Sequence, residues 1–235
     1  MTPKRVVSLL DVDNTLLDND RVSADLRRYL AREVGAERNE EYWRIFETLR
    51  KELGYADYLG ALQRYRIEHP REAHLLAVSS YLVNYPFANR LFPESLDVVE
   101  HLSRWGPTVV FSDGDVVFQP RKVERAALFD AVDGRVLIYV HKERELDDVE
   151  ARHPAEHYLL VDDKVRILDA VKRIWGRRVT TVFPRQGHYA RDPEVARYPA
   201  PDVTIERIGE LLGWSLDALL AAAKDAPQPN ERTQR

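Results

Sequence analysis

Six short apolar runs, the first at Arg5–Leu10, set the main constraint on this chain. Their apolar residues are consecutive and not alternating, the pattern of strands covered on both faces, as in parallel sheets. The others are Thr108–Ser112, Arg135–Val140, His157–Val161, Arg178–Phe183 and Asp202–Ile205. Between and after them lie amphipathic stretches around 94–105, 118–129, 143–152, 164–175 and 206–223. This alternation predicts an α/β fold with a doubly wound, mostly parallel sheet of Rossmann-like type.

One long segment breaks the rhythm. From Val22 to Val83 the apolar residues fall at helical spacing: Val22, Leu26, Tyr29 and Leu30, then Tyr42, Ile45, Phe46, Leu49 and Leu53, then Tyr55, Leu59 and Leu62. Ser23 is a candidate N-cap for the first helix, Gly35 and Gly54 are candidate C-terminal caps, and Pro70 and Pro86 punctuate the later helices. The expected organisation is an α/β core of residues 1–19 and 91–223, an inserted α-helical cap at 20–90, and a disordered tail at 224–235. The aromatic residues of the insert read as its own core, and Arg27, Arg28, Arg44, Arg64 and Arg66 as mostly a solvated face.

Composition narrows the chemistry. The chain has 235 residues and no cysteine, so disulfides, thiolate zinc sites and cysteine nucleophiles are excluded. A net charge of −4 with interspersed signs offers no basic field for nucleic acid or anionic lipid. No apolar run approaches the length of a membrane span, and the expected setting is the cytoplasm.

In open parallel sheets ligands bind beyond the carboxyl ends of the strands. The residues there are Asp11, Asp13 and Thr15 after the first run, Ser112, Asp113 and Gly114 after the second, His141 and Lys142 after the third, and Asp162 and Asp163 after the fourth. Paired carboxylates without thiolates or a helical histidine pair favour an oxygen-ligated cation, and Mg²⁺ is the usual choice with a phosphorylated substrate. Phosphoryl transfer needs a nucleophile, charge neutralisation and an acid for the leaving oxygen. Asp11 can attack phosphorus, and Asp13 can protonate the leaving alcohol and later deprotonate water. Ser112 with the amides of Asp113 and Gly114 would hold phosphoryl oxygens, while Lys142 neutralises charge.

The series Asp-Val-Asp-Asn-Thr, Phe-Ser-Asp-Gly, Lys142 and Val-Asp-Asp-Lys resembles the haloacid dehalogenase superfamily over residues 5 to about 210. The resemblance implies Asp11 as nucleophile, Asp13 as acid/base, Ser112 as phosphate binder, Lys142 as charge stabiliser and Asp162-Asp163 as a metal-binding pair. It also implies the Asp13 carbonyl as a metal ligand, and a movable cap that contributes to substrate choice. Dehalogenases proper lack an acid at the second position, so Asp13 points to phosphate chemistry. Three residues depart from the common pattern: Asp113 where Asn is frequent, Glu143 after Lys142 where Pro is frequent, and Lys164 after the acidic pair. Lys122, inside an expected helix, is the other candidate for the third-motif lysine. The expected activity is a Mg²⁺-dependent phosphomonoester hydrolase acting on a small phosphorylated metabolite. The alternatives are a phosphomutase, or a phosphate-ester-binding module of low turnover suggested by the acidic Asp113.

Overall fold

The apolar runs form strands buried on both faces, and all pair in parallel. The computed structural model describes residues 6–225 and places the strands at β1 (Val6–Leu10), β2 (Thr108–Asp113), β3 (Val136–Tyr139), β4 (His157–Val161), β5 (Val179–Pro184) and β6 (Val203–Ile205). Their order across the sheet is β3-β2-β1-β4-β5-β6. The order reverses direction between β1 and β4, where the crevice of a doubly wound sheet opens. Register puts Leu10 opposite both Val110 and Val161, so β1, β2 and β4 end side by side.

Side chains on β1 alternate between two cores. Val6 and Leu10 join the larger apolar cluster, shared with the helical insert, whereas Val7 and Leu9 join a second cluster. The second cluster is closed by α8 (Leu146–Arg152) and α9 (Val165–Trp175), through Val149, Ile167, Leu168, Val171 and Trp175. The first takes up α5 (Ser95–Ser103), α6 (Phe118–Arg125), α7 (Leu128–Ala131) and the last helix, α10 (Leu216–Ala222).

Between β1 and β2 the chain forms α1 (Asn19–Glu33), α2 (Ala36–Leu53), α3 (Tyr58–Glu68) and α4 (Leu75–Asn84). Helix α1 buries Val22, Leu26 and Leu30, four residues apart and therefore on one face. Its N-cap is Asp18, whose carboxylate accepts the Arg21 amide at 2.9 Å, and not the expected Ser23. Ser23 lies a turn inside the helix, its hydroxyl 2.7 Å from Tyr58 Oη. Gly54 ends α2 in the left-handed conformation, with φ at 82°. Val34 caps the end of α1, and Gly35, also at positive φ, follows it and opens α2. Tyr42, Trp43, Phe46, Tyr58 and Tyr65 are buried among one another, as read from their spacing.

Two expected helices are divided. Residues 118–129 break at Ala127, which takes a positive φ between α6 and α7. The last stretch is a 3₁₀ segment at Ile208–Gly213 followed by α10, whose N-cap Ser215 accepts the Ala218 amide at 3.2 Å. The tail expected from Lys224 lies, beyond Asp225, outside the described residues, as does Arg5.

Leu9 is fully buried on β1, two residues before Asp11. Leu9→Ala should lower the unfolding free energy by about 2–5 kcal/mol, read by chemical denaturation, because the cavity left in the second cluster cannot fully collapse.

Candidate active site

The chain leaves β1 through a tight loop closed on the Val12 carbonyl, which accepts the amides of Leu16 at 3.0 Å and Leu17 at 2.9 Å. Asn14 takes a positive φ of 60° here, a conformation asparagine tolerates, and its side chain exchanges hydrogen bonds with Asp20 at the start of α1. Thr15 faces inward: its hydroxyl donates to Asp11 Oδ2 at 3.2 Å and accepts the Asp163 amide at 3.1 Å. This hydroxyl ties the end of β1 to the end of β4.

Asp11 is buried and meets Lys142 at 2.6 Å. The same ammonium, fully enclosed, reaches Asp162 Oδ2 at 2.7 Å and donates to the Phe111 carbonyl at 2.9 Å. Lys142 therefore stands where the third-motif lysine was expected. Burial works against its charge, but Asp11, Asp162 and Asp113 together hold its pKa above the ordinary lysine value. Lys122 lies elsewhere: it approaches Asp13 through both carboxylate oxygens, at 2.6 and 2.8 Å.

Burial pushes Asp162 up to about 6, against the pull of Lys142, and pushes Asp163 well above the usual carboxylate range. Neither carboxylate oxygen of Asp163 has a hydrogen-bond partner, although the residue is fully buried. Ligand atoms of Asp11, Asp162 and Asp163 lie within 4.8 Å of one another. Buried carboxylates converging in this way, with both oxygens of Asp163 unpartnered, fit a hard divalent cation, which oxygen ligands suit. Three ionised carboxylates against the Lys142 ammonium leave two negative charges, the charge a divalent cation cancels.

The second motif is arranged differently from the expectation. Ser112 Oγ accepts from Gln119 Nε2 at 2.9 Å. Asp113 Oδ1 accepts the Lys142 amide at 2.8 Å, so its carboxylate positions the loop after β3. The Gly114 amide, expected to be offered to phosphate, donates to the Tyr139 carbonyl at 2.9 Å because the β2–β3 ladder runs on to this point. Gly114 serves by its missing side chain, since a Cβ there would come within 2.6 Å of Gln119 Cβ and displace the support of Ser112.

Above this cluster lies a cavity of about 780 Å³ between the helical insert and the loop after β5. Asp13, Asp113 and Lys164 line it from the core, Trp43, Phe46, Tyr55 and Tyr58 from the insert, and His188 and Tyr189 from the loop. Insert and loop also touch directly: Asp20 meets His188 Nδ1 at 2.5 Å, and Arg50 donates to Tyr189 Oη at 3.2 Å. Burial opposes ionisation of Asp20, yet the hydrogen bonds and charge of His188 outweigh it and lower its pKa. Lys164 makes no ion pair among the described residues, and its ammonium stands 5.2 Å over the Tyr189 ring.

Sequence reasoning left the partners of Lys122, Gln119 and His188 unread. For the first two a signal exists, because positions 119 and 122 share a face of a helix opening at Phe118. For His188 there is none, since its contact depends on how the loop meets the insert.

No protein-family model matches the chain, and no curated protein does. Among solved structures, a protein of Burkholderia xenovorans LB400 classed as a haloacid dehalogenase-like hydrolase is 61% identical, with a TM-score of 0.87, over 91% of this chain and 100% of that one. The HAD-hydrolase YfnB of Bacillus subtilis, solved with magnesium bound, shares the fold at 16% identity and a TM-score of 0.60, over 90% and 98% of the two chains. L-2-haloacid dehalogenase of Xanthobacter autotrophicus, with chloropropionic acid covalently bound, does so at 19% and 0.57, over 89% and 97%.

If the acidic cluster holds a divalent cation, protons and metal compete for it. The raised carboxyls bind more protons folded than unfolded, so between the ordinary carboxylate value and about pH 6 their contribution to metal-free stability falls as pH rises. A bound Mg²⁺ would relieve the repulsion once they are ionised. The Mg²⁺-induced rise in melting temperature should therefore be larger at pH 7 than at pH 5, as measured by differential scanning fluorimetry. On its motifs, its fold and its identity to the Burkholderia protein, the chain belongs to the haloacid dehalogenase-like hydrolases.

Proposed function

We propose that this hydrolase is a Mg²⁺-dependent phosphomonoesterase working through a phosphorylated Asp11. The observation that carries the reading is the orphaned, buried carboxylate of Asp163 beside the buried carboxylate of Asp11, with a further carboxylate, Asp13, at the cavity floor. A metal site beside a carboxylate pair suits phosphoryl transfer, in which anionic groups must be brought together.

Asp11, Asp162 and Asp163 would hold the cation, with the backbone carbonyl of Asp13 as a further ligand, and Mg²⁺ would supply charge neutralisation of the phosphoryl oxygens. In the first half-reaction an oxygen of Asp11 attacks phosphorus. The bond to the ester oxygen breaks, and that oxygen takes a proton from Asp13. In the second, Asp13 as carboxylate takes a proton from water as the water attacks phosphorus, and the Asp11–phosphorus bond breaks. Lys142 would offset charge on Asp11 and on the phosphoryl group, and the Ser112 hydroxyl, which donates to the Asp113 carbonyl at 3.3 Å, would exchange that contact for a phosphoryl oxygen. The helical insert acts as the cap: it walls the cavity in which the remainder of a small phosphorylated substrate would lie.

Phosphate release from a panel of phosphomonoesters, with and without Mg²⁺, tests the reading. Release should require the metal, and Asp11→Asn should reduce it by at least about a thousandfold while leaving the circular dichroism spectrum intact. Unchanged release by Asp11→Asn, or metal-independent halide release from 2-haloacids with no phosphate release, would overturn it.

A further inference from the structure

Lys122 has no part in the reaction as derived above, yet it is 1% exposed and its ammonium lies within the machinery. Its three donors are all taken: two by Asp13, at 2.6 and 2.8 Å, and the third by Asn19 Oδ1 at 3.1 Å. Its Nζ stands 5.3 Å over the ring of Phe118, its neighbour one helical turn back, which walls it from water. Asn19 is the first residue of α1, where the insert begins. Its Nδ2 donates to Tyr58 Oη at 3.2 Å, and that hydroxyl also meets Ser23 Oγ at 2.7 Å. A continuous chain thus runs from Asp13 through Lys122 and Asn19 to Tyr58, a residue of the cavity wall on α3.

We infer that Lys122 is a positioning residue for the acid/base carboxylate, and that through Asn19 and Tyr58 it ties the orientation of Asp13 to the seating of the insert over the cavity. The inference rests on the phosphatase reading and on Asp13 as its acid and base. Bidentate contact fixes the Asp13 carboxylate in one orientation, and a free aspartate would sample several rotamers. The ammonium also receives the carboxylate formed when the proton passes to the leaving oxygen, so the charge developed in that step is met by a group already in place. Because the ammonium is held on its other side by Asn19, it stays in place only while α1 and α3 are seated. Lys122 touches none of the carboxylates of Asp11, Asp162 and Asp163, and it meets Asp13 through its side chain and not through the backbone carbonyl offered to the cation, so its effect falls mainly on proton transfer.

Leaving-group dependence reads this role separately from a structural one. A substituted aryl phosphate series from p-nitrophenyl to phenyl phosphate, assayed with full-length protein and Mg²⁺, varies the need for an acid while keeping the phosphoryl group constant. Lys122→Met should lose activity on every ester, with kcat/KM for phenyl phosphate falling about tenfold further than for p-nitrophenyl phosphate, within the range of general acid catalysis. Lys122→Arg should restore most of that difference. Asn19→Ala, which keeps the lysine and removes its far support, should show the same tilt at smaller size, and it carries the test if Lys122→Met fails to fold. Equal losses across the series in folded variants, or no loss, would overturn the inference while leaving the phosphatase reading standing. A wild-type protein that releases no phosphate from any ester would overturn both.

Discussion

The site depends on one enclosed ammonium. Lys142 is fully buried and surrounded by Asp11, Asp162 and the Phe111 carbonyl, so the cost of desolvating it is offset only by contacts from three different strands. A pair of unit charges at this distance interacts by about 6 kcal/mol at an effective dielectric constant of 20. Removing one partner of such a cluster costs about 3–5 kcal/mol, since the remaining charges are left buried and unmatched. The ends of β1, β2 and β4 are therefore bound to one another by a charge balance as well as by the ladder. Lys142 is fully used by these contacts, and Asp163, whose carboxylate oxygens accept no hydrogen bond, keeps the longer-range charge of Lys164 beside it.

Topology makes this possible. With β1 and β4 adjacent at the crevice of the sheet, two consecutive acidic residues after β4 face the acid after β1 without any long-range loop. Lys142 comes from the far side of β2, and only a long side chain can reach from there to both Asp11 and Asp162. Its loop is steered by Asp113, whose carboxylate accepts the Lys142 amide. An aspartate in the phosphate loop, unfavourable if it faced phosphate directly, is thereby turned toward a backbone donor.

Much of the core was legible in the sequence because its signals are local. Consecutive apolar residues report burial on both faces, and the residues at strand ends converge once the strands are parallel, so that Asp11, Lys142 and the Asp162-Asp163 pair meet where their positions put them. The partners of those residues were not legible in the same way. The choice between Lys142 and Lys122 turned on which lysine reaches Asp11, a contact spanning about 130 residues of chain. The cap of α1 was misread because both Asp18 and Ser23 suit an N-cap, and the closing hydrogen bonds of the preceding loop place the helix start at Asn19. The Gly114 amide was misassigned because strand length decides whether an amide is spent on the ladder, and strand ends are poorly marked by composition.

The cavity joins two kinds of chemistry that the sequence keeps apart. Its floor is built from Asp13, paired with Lys122, together with Asp113 and Lys164, whereas its walls are aromatic rings on α2 and α3 and polar groups on the loop after β5. Polar contacts tie these parts together: Asp20 with His188 and Arg50 with Tyr189 join the insert to the loop after β5, and Lys122 with Asn19 joins the insert to α6 of the core. The first two join surfaces that are partly open to solvent, where such contacts are individually weak and exchangeable. The third is buried and continues to the Asp13 carboxylate. On the proposed reading, a substrate that seats the insert through the walls would act on the floor by way of Lys122, and recognition of the substrate's remainder and readiness for proton transfer would be linked within one hydrogen-bonded chain.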